Sequence, residues 1–404
     1  MLSAWHLPEH MADVLPAQAR RIEELRRSLL DKARSYGFEL VVPPMLEHLE
    51  SLLSGTGEAL DLQTFKLVDQ LSGRTLGLRA DTTPQAARID AHLLNRDGIT
   101  RLCYCGPVVH TRPAGAASTR EPLQFGAEIF GHAGLEADLD TAQLALDALL
   151  ENCSGPLVVD LADARLLRGL LAGMALDEVK LQAIVEALSE KDAASVARLT
   201  ESLPRDASQA LQLLMRLYGG DEVILLAQER LPDRALVRQS LQELQWLAAH
   251  LRSAYPDLKV GFDLADMSGY AYYSGLRFTV FAGGGNSSLA RGGRYDEVGS
   301  VFGRNRPAVG FSLDLKALAE VAGPGHLPTA VLAPWGEDEG LRLAVRRLRA
   351  AGEIVVCAPA GQCPQVQAFE FDRELLQVQG RWVLQATSDA VAHLRAESSS
   401  LSPA

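Results

Sequence analysis

The sequence predicts an α+β protein, built on a largely antiparallel sheet that is flanked by helices. Three observations support this fold class. Two runs within Arg101–Gly131 alternate apolar and polar residues with a period of two, as half-buried strands do. Residues 162–256 are rich in leucine and alanine in helical patterns, which indicates a helical insertion. After a Gly/Pro-rich linker the pattern is strand, helix, strand, so we expect a core of residues 1–320 and a small α/β domain of residues 328–404.

The N-terminal elements are a helix and a short strand. Leu15–Tyr36 carries an apolar stripe among arginines and glutamates, and Gly37 is a typical helix end. Phe38–Val42 predicts a strand that stops at Pro43-Pro44. Such an element suits a surface that meets another one, for example that of a second subunit. The alternative is that the helix only covers its own sheet.

The next strand leads into a second helix. Arg74–Arg79 is strand-like, and Pro84 falls in the first turn of a helix that should reach about Leu94. Asp81 and Thr83 precede or open this helix. They either cap it or bind a ligand, and the pattern alone leaves both open.

The Arg101–Gly131 segment predicts a hairpin with a long loop, and it carries most of the concentrated polar chemistry. On its second strand Gln124 and Glu128 fall on the face opposite Phe125. An amide and a carboxylate would then point together above the sheet, which suits a cationic ligand group. The alternative is the solvated face of an antiparallel sheet.

The remaining core elements follow in order. We expect a helix at Ala133–Glu151, strands at Gly155–Leu161, Val260–Leu264 and Tyr270–Phe281, a glycine cluster at Gly283–Gly285 with Arg291–Asp296 after it, and a strand at Ala308–Leu315 that enters a helix.

Composition excludes some functions. With 39 basic and 51 acidic residues the net charge is −12, which disfavours bulk binding of nucleic acid. The odd number of cysteines and their spacing predict reduced thiols in a cytoplasmic protein and no metal site. We expect neither a signal peptide nor a membrane span. The five cysteines are Cys103, Cys105, Cys153, Cys357 and Cys363.

Six segments, taken in order, resemble the motifs of class II aminoacyl-tRNA synthetases, and specifically of the histidyl-tRNA synthetase branch. They are YGFELVVPPMLE (36–47), LRADTTP (78–84), CGPVVHTRP with QFGAE (105–113 and 124–128), GYAYYSG (269–275), RGGRYDE (291–297) and PAVGFSLDLKAL (307–318). The resemblance covers about residues 8 to 320. It implies the class II synthetase fold, with a two-fold interface formed by the first motif.

Three departures from that family bear on activity. Where the family has arginines that grip ATP or help adenylation, this chain has His110, Ser268 and Ala317. Losing these cations removes the stabilisation of developing phosphate charge, so adenylation should be lost and no catalytic residue is expected. Arg112 and Arg294 are the candidates for a remaining phosphate contact, and Arg291 is a further arginine that could rescue phosphate binding.

The histidine-binding side of the family pattern is better kept. The resemblance assigns histidine binding to Asp81, Thr83, Gln124, Glu128 and Tyr273, with aspartate at position 81 where the family has glutamate.

A chain that keeps the histidine-binding residues and has lost the adenylation arginines resembles the family of regulatory subunits of ATP phosphoribosyltransferase. The resemblance implies a non-catalytic subunit without a cofactor, which acts with a short-form catalytic subunit in the first step of histidine biosynthesis. It further implies a homodimer within a hetero-oligomer and L-histidine as effector. The alternative is a divergent active histidyl-tRNA synthetase or an amino-acid-activating ligase.

Overall fold

The structure is a computed structural model. It describes residues 6–53, 57–115, 118–283, 288–296, 303–323, 325, 327–359, 364, 366 and 369–387, without the side chains of residues 57–59. Cys363, residues 284 and 285 of the glycine cluster and residue 297 of the RGGRYDE segment lie outside the described residues.

The described residues contain thirteen α-helices. They are α1 Pro16–Ser35, α2 Leu49–Leu53, α3 Gly57–Gln63, α4 Thr83–Arg88, α5 Leu135–Leu150, α6 Arg165–Leu171, α7 Glu178–Ser189, α8 Ala193–Thr200, α9 Arg205–Leu214, α10 Asp221–Arg230, α11 Ala235–Ala254, α12 Leu315–Ala322 and α13 Glu339–Ala350, with a π-helix at Ile89–Leu94 directly after α4. Four of the α-helices, α6 to α9, follow one another without an intervening strand. None of the helices in the described residues has the length and apolar character that a membrane crossing needs.

The strands are β1 Glu39–Leu40, β2 Leu46–His48, β3 Lys66–Val68, β4 Thr75–Leu78, β5 Thr100–Pro107, β6 Leu123–Phe130, β7 Leu157–Asp163, β8 Tyr218–Gly219, β9 Lys259–Asp263, β10 Leu276–Ala282, β11 Ser288–Arg294, β12 Ala308–Asp314, β13 Thr329–Pro334, β14 Val355–Ala358, β15 Glu370–Val378 and β16 Arg381–Ala386.

Among the described residues, nine of these strands form the main sheet. Their order is β1-β5-β6-β12-β11-β10-β7-β9-β8, and the central pairs from β5 to β7 are antiparallel. The predicted hairpin is therefore β5 and β6. A smaller sheet has the order β2-β4-β3, and its last strand, β4, precedes α4 in the sequence.

The two faces of the main sheet differ in chemistry. Phe125, Ala127 and Ile129 on β6 are fully buried, and α5 packs against β6, β11 and β12. Because side chains alternate along a strand, Gln124 and Glu128 lie on the other face. The period-two prediction for this hairpin is confirmed, and it places the polar residues together away from the α5 layer.

One predicted strand is shifted. Tyr270–Phe281 is aromatic and β-rich, but β10 begins only at Leu276. The backbone before it turns, and the N–H groups of Tyr272 and Tyr273 donate to the carbonyl of Gly269. Gly269 has φ +69°, which allows this turn. The aromatic residues of this segment indicate a strand, but they lie in a turn that places their rings over the sheet.

The chain divides into two compact units, Met1–Asp13 with Ile22–Gly323, and Val14–Arg21 with Pro324–Ala404. In the first unit, α6 to α11 make up most of the helical stretch, and α11 packs on α5, α6 and β7. The second unit contains a sheet of order β14-β13-β15-β16 in the described residues, with a core of Val331, Leu341, Val345, Val355 and Leu375. The hairpin β15–β16 was not predicted.

Candidate functional site

A cavity of about 210 Å³ opens on the polar face of the main sheet. It is smaller than the ~300–1,000 Å³ typical of drug-sized ligands, so it suits a single small metabolite. The residues that line it come from the start of α4, from β6, β11 and β12, and from the turn before β10. They are Asp81, Thr83, Glu128, Gly269, Tyr272, Tyr273, Arg291, Tyr295, Gly310, Phe311 and Ser312.

Glu128 is the chemical centre of the cavity. Its side chain is 1% exposed. Thr83 Oγ1 and Tyr104 OH each donate to its Oε1 over 2.9 Å, and Tyr295 OH donates to Oε2. Gly310 is paired opposite it on β12, where a Cβ atom would collide with the carboxylate. A carboxylate that is held by three hydroxyls and backed by glycine is oriented before any ligand arrives.

Burial changes the acidity of Glu128. The loss of hydration raises the pKa of this carboxyl to about 8, while the hydroxyl hydrogen bonds from Tyr295, Thr83 and Tyr104 lower it and the charge of Asp81 raises it. The empty site therefore favours the protonated form at neutral pH. A cation placed beside Glu128 would reverse this preference, because an opposite charge stabilises the carboxylate.

Asp81, Thr83 and Gln124 form one connected group. Gln124 Nε2 donates to Asp81 Oδ1 over 2.7 Å, and its Oε1 accepts from Thr82 N–H over 2.9 Å. Asp81 Oδ1 also accepts from Thr83 N–H over 3.1 Å, so Asp81 satisfies a backbone donor at the start of α4 and lines the cavity as well. Gln124 does not line the cavity; its contacts orient Asp81.

Aromatic rings close the cavity over the sheet. Tyr273 is T-shaped against Tyr272 with 5.3 Å between ring centroids, and Tyr272 stacks on Tyr295 at 4.9 Å. The guanidinium of Arg277 lies 4.9 Å from the ring centroid of Tyr273. This packing fixes a wall against which a planar ligand ring can lie.

The cations around the cavity have different roles. Arg294 is buried and engaged by Asp138, with further bonds to the carbonyls of His132 and Gly134. Arg112 is exposed. Neither lines the cavity, and phosphate contact by either stays a prediction. Arg291 does line it.

Two of the three positions that depart from the synthetase pattern make hydrogen bonds to other groups of the protein. His110 Nε2 bonds the carbonyl of Ala80 over 2.9 Å, and Ser268 Oγ donates to Asp266 over 2.6 Å. Within the described residues, no group of three or more potential ligands is arranged to hold a metal ion.

Sequence reasoning did not assign Tyr104 and Tyr295 to the site, and it considered Arg291 only for phosphate binding. In the strand pattern Tyr104 counts only as an apolar residue, but in the structure it pairs with Gly126, which leaves room for its ring. Arg291 and Tyr295 are four residues apart in RGGRYD, and that even spacing on an extended chain is the signal that could place both on one face.

The comparisons with known proteins bear on this site and on the whole chain. The family model described as "Histidyl-tRNA synthetase" matches residues 10–318, and the one described as "ATP phosphoribosyltransferase subunit HisZ C-terminal domain" matches residues 328–385. An ATP phosphoribosyltransferase regulatory subunit from Verminephrobacter eiseniae is 60% identical over 385 residues, which is 95% of this chain and 100% of the relative. The chain belongs to the family of ATP phosphoribosyltransferase regulatory subunits.

Solved structures agree with this family. An "ATP phosphoribosyltransferase regulatory subunit/histidyl-tRNA synthetase" from Bacillus halodurans superposes with a TM-score of 0.76 at 28% identity, covering 91% of this chain and 98% of its own. An "ATP phosphoribosyl transferase (HisG:HisZ) complex" from Thermotoga maritima gives a TM-score of 0.56 at 18% identity, covering 75% and 98%, which shows the shared fold.

The predictions of fold class and of a non-catalytic regulatory subunit are thereby confirmed. The chain is a regulatory subunit that serves histidine biosynthesis, and the alternative of an active synthetase or ligase is set aside.

Proposed function

We propose that the cavity of this regulatory subunit binds L-histidine and acts as the feedback sensor of the enzyme complex. The observation that carries the proposal is the buried carboxylate of Glu128, held by three hydroxyls beside Asp81 in a cavity of about 210 Å³. A site of this size with two carboxyl groups fits a small cationic metabolite.

The groups of the cavity match the groups of the ligand. Asp81 and Glu128 supply negative charge for the ammonium or the imidazole, and Thr83 supplies a hydroxyl. Tyr273 offers a ring face to the imidazole. Gln124 acts through Asp81, whose orientation it fixes by a 2.7 Å hydrogen bond.

Substituting Glu128→Gln tests histidine binding, because it removes the charge and keeps the shape. Loss of a hydrogen bond to a charged group costs about 1.5–3 kcal/mol, which corresponds to roughly 10- to 150-fold weaker binding of L-histidine in calorimetry. Glu178→Gln, an exposed change on α7, is the matched control and should bind like the wild type. If the wild-type chain binds no L-histidine, alone or in the complex, a purely architectural and activating role replaces the sensor.

We further propose a homodimer that assembles with a short-form catalytic subunit in the cytoplasm. Leu40 on edge strand β1 is 51% exposed and Val42, just beyond it, is 82% exposed, and an exposed apolar edge favours a covering partner. The Thermotoga maritima structure of the same fold is described as a complex, which supports a catalytic partner here. Cys103, Cys105 and Cys357 are free thiols, as suits a reducing compartment.

Assembly has its own tests. Light scattering at micromolar concentration should report a dimer for the isolated chain, and co-purification should retain a co-expressed short-form catalytic subunit. A monomer at that concentration would contradict the first part, and failure to co-purify would contradict the second.

Feedback requires more than binding. A ligand shifts an equilibrium only by the difference in its affinity for the two states, and couplings of about 1 to 3 kcal/mol correspond to 5- to 150-fold changes in apparent affinity. L-Histidine should therefore bind more tightly to the less active assembly state than to the more active one.

A further inference from the structure

Arg291 is set apart from the other arginines near the cavity. It lies on β11 between Thr279 of β10 and Ser312 of β12, is exposed, and lines the cavity. Its Nε donates to Ser288 Oγ over 3.0 Å, and among the described residues no carboxylate pairs with its guanidinium. A charged fork at the edge of a binding cavity with terminal N–H groups to spare is available to a ligand.

The neighbouring arginines are each paired with a carboxylate. Arg277 donates to the carbonyl and the carboxylate of Asp266 over 2.8 and 2.9 Å, and its side chain is 4% exposed. Arg294 is paired with Asp138 inside the protein. Both hold the fold around the cavity, which leaves Arg291 as the cation that lines it within the described residues.

The sheet register places Arg291 and Glu128 at opposite ends of the cavity floor. Gly293 pairs with Gly310, and Gly310 pairs with Glu128, so these two positions beside Glu128 carry no side chain, whereas Ser312, which pairs with Arg291, adds a hydroxyl to the lining. With a strand spacing of about 4.8 Å and a rise of about 3.3 Å per residue, the two Cα atoms lie roughly 12 Å apart. The two side chains point to the same face and shorten this gap to the scale of one amino acid.

The cavity thus has an acidic end and a cationic rim. An amino acid carries an ammonium, which matches the acidic end of the cavity, and a carboxylate, which matches the cationic rim. A related amine without the carboxylate would match the acidic end and leave Arg291 facing solvent.

We infer that Arg291 binds the α-carboxylate of the ligand and makes the cavity select the amino acid over its amine and alcohol counterparts. The inference rests on the proposed function, since it names how the same site reads its ligand. It adds a specificity-determining residue at a position where the resemblance to synthetases assigned none.

The experiment is a calorimetric comparison of L-histidine with L-histidinol, whose carboxylate is replaced by an alcohol. Charge-assisted hydrogen bonds to a carboxylate predict a preference of roughly 10- to 100-fold for L-histidine in the wild-type chain. Arg291→Ala should lose that factor for L-histidine and leave L-histidinol binding unchanged. Arg291→Lys keeps the charge and should retain part of the preference.

The controls separate the two proposals. Arg346→Ala removes an exposed arginine on α13, in the second unit, and should leave both affinities unchanged. Two results would overturn the role of Arg291 and leave histidine sensing in place. One is equal affinity of the wild type and Arg291→Ala for L-histidine; the other is an equal loss of affinity for L-histidine and L-histidinol in Arg291→Ala. Absence of L-histidine binding to the wild type overturns histidine sensing and this inference together.

Discussion

Binding of a cationic ligand beside Glu128 should release a proton. The pKa of this carboxyl in the empty cavity is about 8, so at pH 7 about nine-tenths of the molecules carry the proton. A ligand cation favours the carboxylate and drives that proton off. We therefore expect release of up to about 0.9 proton from Glu128 per ligand at pH 7, falling to roughly 0.1 at pH 9 where the group is already ionised.

The sign of the pH dependence follows from the same pKa. A bound cation lowers the pKa of Glu128, so below about pH 8 the ligand-free site holds more protons than the liganded site. The apparent affinity for the ligand therefore rises with pH until about pH 8. From pH 7 to pH 8 the contribution of Glu128 is roughly fivefold. Histidine's own ionisation adds to the measured dependence, and it is common to all variants.

Calorimetry in buffers of low and high ionisation enthalpy measures the protons released. The comparison is between the wild type and Glu128→Gln, because the difference between them removes the contribution of the ligand's own groups. The wild type should release about 0.9 proton more at pH 7. Equal release by the two proteins would refute the reasoning that Glu128 receives the ligand as a carboxylate.

Three further changes test the packing and the assembly. Gly310→Ala places a Cβ against the carboxylate of Glu128, so we expect a cost of about 1–3 kcal/mol in unfolding free energy and weakened L-histidine binding in calorimetry. Asp90→Asn leaves Arg306 without a full charge partner in a buried pair of 2.9 Å, which should cost about 3–5 kcal/mol in urea unfolding. Val42→Glu puts a charge on the exposed apolar edge and should yield a monomer in light scattering.

The two changes at buried contacts each have a matched control. A Cβ at Gly98 meets no atom within 4 Å, so Gly98→Ala should keep L-histidine binding. Asp233→Asn disrupts an exposed pair with Arg238 and should cost less than about 1 kcal/mol. Similar losses in a test variant and its control would contradict the role assigned to the buried contact, and a dimeric Val42→Glu would contradict the proposed interface.

Local periodicity was enough to predict the hairpin and the face on which Gln124 and Glu128 lie, because alternation along a strand is a property of the backbone. It could not bring Tyr295 to Glu128, since that contact depends on the order β6-β12-β11, which joins strands far apart in the sequence. Local sequence pattern therefore predicts one part of the site, and the other part depends on long-range strand pairing.

Two local signals were misread for physical reasons. The aromatic residues before β10 have high strand propensity, but Gly269 turns the chain and presents them to the cavity. The hairpin β15–β16 was missed although Gln379 and Gly380, both with positive φ, supply the tight turn between two strand-like runs.

The most direct test of the sensor account is a crystal structure of the full-length chain, in complex with the catalytic subunit, grown with saturating L-histidine. The account predicts the amino acid in the cavity, with a nitrogen group at Glu128, the imidazole against Tyr273 and the carboxylate at Arg291. An empty cavity, with L-histidine bound elsewhere in the complex, would contradict it.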